Sequence, residues 1–235
     1  MTSFVLVHGA FHGGWCWEEV AAILINAGHD VHTPTLPTGS KDAVGIERNI
    51  TLSDHIQVVV DLIERAELKD IVLVGHSLGG MIVTGVADRC HSRVAHLVYL
   101  DAFVPTSGQS VRDLALEPMY QSAVEASYEM GGGQVLPVIF PVEKFVDYSG
   151  DAAANFTAKL MPQPFLTIVE PVYLRNPPVA RRTFVYCSAV PFGLFENFAE
   201  TARTSSDWTY VDLPTSHDAM ILMPNEVAHI LLNSV

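Results

Sequence analysis

Lysine and arginine are scarce in this chain. Thirteen basic side chains stand against 26 aspartates and glutamates over 235 residues, a formal net charge of −13 at neutral pH. A surface of that sign repels nucleic-acid phosphates and anionic lipid headgroups, so neither is an expected partner. It also disfavours strongly anionic substrates, although a local site can override the global field. Cysteine is sparse as well. Cys16, Cys90 and Cys187 lie far apart and form no CxxC pair, which fits a reducing compartment better than a disulfide scaffold. No apolar run is long enough to span a membrane, and the opening MTSFVLVHG has no basic stretch before its first strand. The expected location is therefore cytoplasmic. Charged residues make up only 17% and hydrophobic ones 49%, so the chain can bury a large core and is not disordered.

What is present reads as alternating strands and helices. SFVLVHG (3–9) is a continuous apolar run ending in glycine, the pattern of a buried parallel strand. WEEVAAILINAG (17–28) has helical spacing and a glycine stop, and HDVHTP (29–34) is a short strand. SDHIQVVVDLIERAEL (53–68) is an amphipathic helix with Ser53 or Asp54 as its expected cap. A strand DIVLVGH, a helix LGGMIVTGVADRC and a strand VAHLVYLDA (94–102) follow. The rhythm then breaks. Residues 104 to 180 hold nine of the fourteen prolines and a triple glycine at 131–133. It resumes with RRTFVYCS (181–188), a helix near 194–204, DWTYVDLP (207–214) and a last helix after Pro224. Alternation of this kind predicts an α/β fold: a mostly parallel sheet of about six strands with helices on both faces. Residues 1–104 and 181–235 are expected to form the core, and 105–180 an inserted helical cap.

One stretch carries chemistry. VLVGHSLGGM (72–81) places Ser77 between glycines where a buried strand turns into a helix. In open parallel sheets ligands bind at the carboxyl ends of strands. Gly75 and Gly79 allow a sharp turn and a close helix, so Ser77 projects above the sheet as a nucleophile on a strained elbow. Attack on a carbonyl needs an oxyanion hole. The amide of Leu78 opens a helix with its donor unsatisfied, and a second amide is expected from the glycine-rich loop HGAFHGGWCW (8–17), with Ala10 first and Phe11 next. His8 and His12 in that loop have i,i+4 spacing, but on a loop they share no face, and no metal is expected there. The base should follow the last strand, and His217 in LPTSHDAM stands there. His76 belongs to the elbow and supports it, whereas His229 lies within the terminal helix.

FVLVHGAFHGGWCW, VGHSLGGM, VYLDAFVP and SHDAMILMPNEVAHILL together resemble the α/β-hydrolase superfamily. More narrowly they are similar to the branch of plant methylesterases, hydroxynitrile lyases and small bacterial carboxyl- and carbamate-esterases. The resemblance covers residues 1–104 and 181–235, and the cap matches loosely. It implies a carboxylic ester hydrolase without a cofactor or a metal, with Ser77 as nucleophile, His217 as base, and Ala10 and Leu78 at the oxyanion positions. Two departures matter. Hydroxynitrile lyases of this branch carry a threonine and a lysine where this chain has Gly9 and Asp218, which argues against lyase activity. Plant members place an aspartate after the strand that follows the cap, where Val190 stands here.

The acid must then come from elsewhere. Asp101 ends the strand after the nucleophile's own, at the same sheet edge, and Ser77, Asp101, His217 keeps the required chain order. Some haloalkane dehalogenases, which share the fold, put their acid at this position. The simpler alternative for Asp101 is a turn-capping residue. Glu196, the first carboxylate after the post-cap strand, is the other candidate, and Asp218 is expected only to support its loop. The cap carries Tyr120, Tyr128, Phe140, Phe145, Tyr148, Phe156, Phe165 and Tyr173, with Met119, Met130 and Met161. Together they suggest an apolar cavity for an aryl or alicyclic acyl group, and a small apolar ester or alkyl carbamate as substrate. A small-molecule receptor of the same fold, binding without useful turnover, is the alternative from another class. The oligomeric state stays open, a homodimer included.

Overall fold

The structure is a computed structural model that describes residues 1–37, 50–115, 118–138, 140–179 and 181–234. Strand β1 (Ser3–Val7) is buried from Phe4 onward, because it is covered on both faces. After it come α1 (Glu18–Asn26), β2 (Asp30–His32), α2 (Leu52–Arg65), β3 (Ile71–His76), α3 (Gly79–Arg89) and β4 (Val94–Leu100). The chain then builds one long helix among shorter pieces: α4 (Val111–Leu114), α5 (Pro118–Met130), β5 (Val135–Leu136), α6 (Val142–Phe145), α7 (Gly150–Thr157), β6 (Gln163–Pro164) and α8 (Leu166–Val169). It returns to long elements with β7 (Arg182–Cys187), α9 (Glu196–Thr204) and β8 (Thr209–Leu213), and closes with α10 (Ala219–Leu222) and α11 (Pro224–Leu232).

The main sheet has six strands in the order β2-β1-β3-β4-β7-β8, and every pairing is parallel. Alternate residues of each strand feed two separate apolar clusters. Val5, Val7, Leu73 and Tyr99 pack with α2 and α3 on one face. Phe4, Leu6, Val74 and Val98 pack with α1 and α11 on the other. Each fully buried side chain of this size contributes about 1.5–3 kcal/mol. From β1 the chain steps to β2 on one side and to β3 on the other, so the strand order reverses between β1 and β3. The crevice beyond the carboxyl ends of those two strands is where an open α/β sheet binds ligands.

The segment between β4 and β7 lies over that crevice. The Met161 amide donates to the Phe11 carbonyl (2.8 Å), and the Asp218 amide to the Phe145 carbonyl (2.9 Å). Its β5 and β6 pair antiparallel apart from the main sheet. It is also pinned to the helices below, where Glu170 accepts from the Ser53 amide and hydroxyl, both at 2.8 Å. That contact corrects the expected cap of α2. Thr51 caps the helix, its hydroxyl accepting from the Asp54 amide while Asp54 reaches back to the Thr51 amide. Ser53, already past the first helical residue, is spent on Glu170. Among the described residues no helix is long and apolar enough to cross a membrane.

Candidate active site

Ser77 follows β3 directly and has φ = 54°, a left-handed conformation that a side chain adopts only under constraint. The constraint is local. The Ser77 amide donates to Leu100 O (3.3 Å), and its carbonyl accepts from Gly80 (3.0 Å) and Phe103 (3.2 Å). Close packing makes the turn possible. A Cβ on Gly75 would lie 2.6 Å from Gly79 O, and one on Gly80 only 2.0 Å from Phe103 O. Two more non-glycine residues with positive φ stand at the same edge of the sheet, Phe11 (68°) after β1 and Asp101 (43°) after β4.

His217 follows β8 and is buried, with its ring against those of Phe192 and Phe195; the Phe195 ring is parallel to it within 4°. Its Nδ1–H donates to Asp101 Oδ2 at 2.7 Å. That bond fixes the tautomer and leaves Nε2 able to take a proton. Burial pushes the imidazole down to about 4, so it is neutral at neutral pH. Burial pushes the Asp101 carboxyl well above the usual range, opposed by the Cys187 amide, which donates to Oδ1 at 3.3 Å. Asp101 is held in place by its own amide, which donates to Val185 O at 2.7 Å.

The loop after β1 brings backbone to the same place. Ala10, Phe11, Ser77, Leu78 and His217 all line one cavity of ≈ 70 Å³. Phe11 is not a free donor, because its amide is given to Gln163 Oε1 at 3.3 Å. Among the described residues no acceptor takes the amide of Ala10 or of Leu78. The outer wall of the cavity is apolar: Val111, Leu136, Phe140, Phe145 and Ile168 come from the segment between β4 and β7, and Phe103 from below.

A model of the alpha/beta hydrolase family matches residues 4–230. The chain belongs to the α/β-hydrolase family. A carbendazim hydrolyzing esterase of Nocardioides sp. (strain SG-4G) is 38% identical over 238 residues, covering 97% of either chain. Salicylic acid-binding protein 2 of Nicotiana tabacum is 39% identical over 105 residues, 44% of this chain and 40% of the tobacco protein. Among solved structures, an extracellular α/β-hydrolase from a Paenibacillus species superposes with a TM-score of 0.86 at 25% identity, covering 100% of this chain and 99% of that one.

Other carboxylates and histidines of this α/β-hydrolase have separate duties. Glu196 accepts from the Gly193 and Phe195 amides, both at 3.0 Å, and so closes the turn before α9. His8 is neutral, since its Nε2 accepts from the Leu36 amide (3.0 Å) while burial pushes it down to about 3. His76 Nε2 donates to His217 O (3.1 Å), and burial holds it well below the usual range. His12 differs. Its Nδ1–H donates to Ala10 O (2.7 Å) and its Nε2–H to Asp218 Oδ2 (2.9 Å), so the ring is an imidazolium. Burial lowers its pKa, but the carboxylate outweighs burial and the net shift is upward. The Asp218 carboxyl is held low by His12 against its own burial.

Sequence reasoning expected no metal at His12 and missed its partner, 206 positions away. It also missed Gln163, which nothing in the local sequence marks. His76, His217 and Asp218 bring ligand-type atoms within 4.8 Å of one another. In that group Asp218 Oδ2, His76 Nε2 and His217 Nδ1 already serve the hydrogen bonds just described. Of the aromatics and methionines between β4 and β7, Phe140 and Phe145 reach the cavity, whereas Tyr173 and Met130 are 73% and 70% exposed. Phe156 packs on Trp15 and His12, Tyr148 on Phe156, and Tyr128 stacks on Phe165. The side chains of Met119 and Tyr120 lie outside the described residues.

Proposed function

We propose that this protein is a serine esterase that hydrolyses small apolar carboxylic esters or alkyl carbamates through a Ser77 acyl-enzyme. The observation that carries the reading is the 2.7 Å bond from His217 Nδ1 to Asp101 Oδ2, made by a histidine that shares its cavity with a serine in a strained strand-to-helix turn. His217 Nε2 takes the hydroxyl proton of Ser77 as Oγ attacks the carbonyl. The negative charge that develops on the carbonyl oxygen is held by the amides of Ala10 and Leu78. Asp101 stabilises the imidazolium, which then returns the proton to the departing alcohol. Water, deprotonated by His217, opens the acyl-enzyme and frees Ser77. Side chains and amides of this chain handle every proton and charge in the cycle.

Residues 1–104 and 181–235 supply the chemistry in this reading, and residues 105–180 close an apolar acyl site over it. Phe140, Phe145, Leu136 and Ile168 give that site no cation to hold an anionic substrate. The name of the Nocardioides relative points the substrate search to carbendazim, a heteroaryl methyl carbamate, beside aryl methyl esters. A binding role without turnover is the second reading, favoured by the name of the tobacco relative.

The test is a hydrolysis screen over p-nitrophenyl acetate, aryl methyl esters and carbendazim, with Ser77→Ala as control. We expect turnover of at least one substrate and a loss of roughly 10³-fold or more in the variant. Activity surviving in Ser77→Ala overturns the serine reading. Saturable binding of an ester that is never cleaved favours the receptor.

A further inference from the structure

His12 and Asp218 form an ion pair that is fully buried: their side chains are 1% and 0% exposed, at 2.9 Å. Burying two charges is expensive, and an apolar pair of similar volume would serve stability as well or better. Its position suggests another purpose. The His12 Nδ1–H holds the Ala10 carbonyl, next to the amide proposed as an oxyanion donor. Asp218 directly follows His217, and its amide is fixed by Phe145 O. Asp218 Oδ1 has no hydrogen-bond partner among the described residues and faces His76 Nε2 at 3.6 Å. His76 in turn holds the His217 carbonyl and precedes Ser77. Loops from the carboxyl ends of β1, β3 and β8 thus meet on one carboxylate. The His12 ring is further wedged against Trp15, Phe145 and Phe156.

We propose that His12 and Asp218 are positioning residues: their buried pair locks the oxyanion loop after β1 to the turn that carries His217, setting the distance between oxyanion donor and base. The inference rests on the serine-esterase reading and deepens it. A lock of this kind acts on the transition state more than on substrate binding. Loss of the lock therefore lowers kcat and leaves KM nearly unchanged.

The test compares His12→Gln, Asp218→Asn and the double variant, each checked for folding by circular dichroism. Two readouts are used: ester turnover, and the rate at which a fluorophosphonate labels Ser77, followed by mass spectrometry. Each single variant leaves one buried group without its proper partner, whereas the double variant restores a neutral amide–amide hydrogen bond. We expect kcat and labelling rate to fall roughly 10- to 100-fold in the singles with KM within about threefold, and to recover in the double. Singles that turn over and label at the wild-type rate overturn the proposal while leaving the esterase reading intact. Failure of all three to fold assigns the pair to stability and also overturns it. A wild-type protein that is not labelled at Ser77 removes the esterase reading itself, and this inference with it.

Discussion

At the scale of single residues, the assignment most open to experiment is that of Asp101. Its carboxylate accepts the His217 Nδ1–H, so the proton sits on Nδ1 and Nε2 is left able to take one. Asparagine in its place can donate an amide proton to Nδ1, which moves the ring proton to Nε2 and blocks the base. Asp101→Asn should lower kcat by roughly 10²- to 10⁴-fold with little change in KM. Glu196→Gln should cost little, because Glu196 is occupied with the Gly193 and Phe195 amides. Steady-state kinetics on one good ester, with folding checked by circular dichroism, rank the two; the reverse order would move the acid to Glu196. That Asp101 stands beside His217 could be read from its place at the end of VAHLVYLD, because strand ends share an edge. The His12–Asp218 pair could not. Each of its members reads locally as a polar loop residue, and only the assembled sheet brings them together.

At the scale of elements, legibility followed length. Strands β1, β3 and β4 are largely apolar runs, helices α2 and α3 run for several turns, and all five stand where the sequence predicts them. Apart from α5 and α7, the segment between β4 and β7 is built of four-residue helices and two-residue strands, too short to show any period. The α2 cap was misplaced because TLSD offers three capping side chains in four residues, and geometry picks the one three positions before the acceptor's partner, Thr51. Glycine showed a similar limit. Gly75 and Gly79 mark the elbow in the sequence, yet the tightest approach there is at Gly80, where α3 meets the chain leaving Asp101. An added methyl must push the Ser77 turn and the Ala102–Phe103 backbone apart. Gly80→Ala should therefore destabilise the protein by about 1–3 kcal/mol. That corresponds to a fall in Tm of roughly 3–10 °C for a chain of this size, and esterase activity should fall more than stability predicts. A thermal melt unchanged from the wild type would show that the two turns are not in the contact described.

At the scale of the whole molecule, the buried histidines make stability depend on acid. Burial lowers the pKa of five imidazoles, those of His8, His55, His76, His96 and His217, with His8 near 3 and His217 near 4. Below about pH 6.5 the unfolded chain binds protons at these sites and the folded chain does not, so stability falls as pH falls. Between pH 7 and pH 5 the two strongest numbered cases, His8 and His217, each remove about 2 kcal/mol. Two groups pull the other way. His12, raised by Asp218, holds its proton more tightly in the fold than in the unfolded chain, so its contribution to stability is largest in acid. Asp101, raised by burial, takes up a proton in the folded state as acid is added and offsets part of the loss. Asp218, held low, keeps its stabilising charge until the pH drops below the ordinary carboxylate range. One opposing carboxyl does not cancel five imidazoles. Tm should thus fall on the order of 5–10 °C from pH 7 to pH 5. Scanning calorimetry at pH 7, 6 and 5 checks this, and a Tm that holds or rises into acid would mean that the imidazoles gain protons inside the fold. Stepwise removal then apportions the effect. His8→Gln, at the residue directly after β1 whose ring accepts from the Leu36 amide, should flatten the pH slope while costing a constant amount at neutral pH for the lost hydrogen bond.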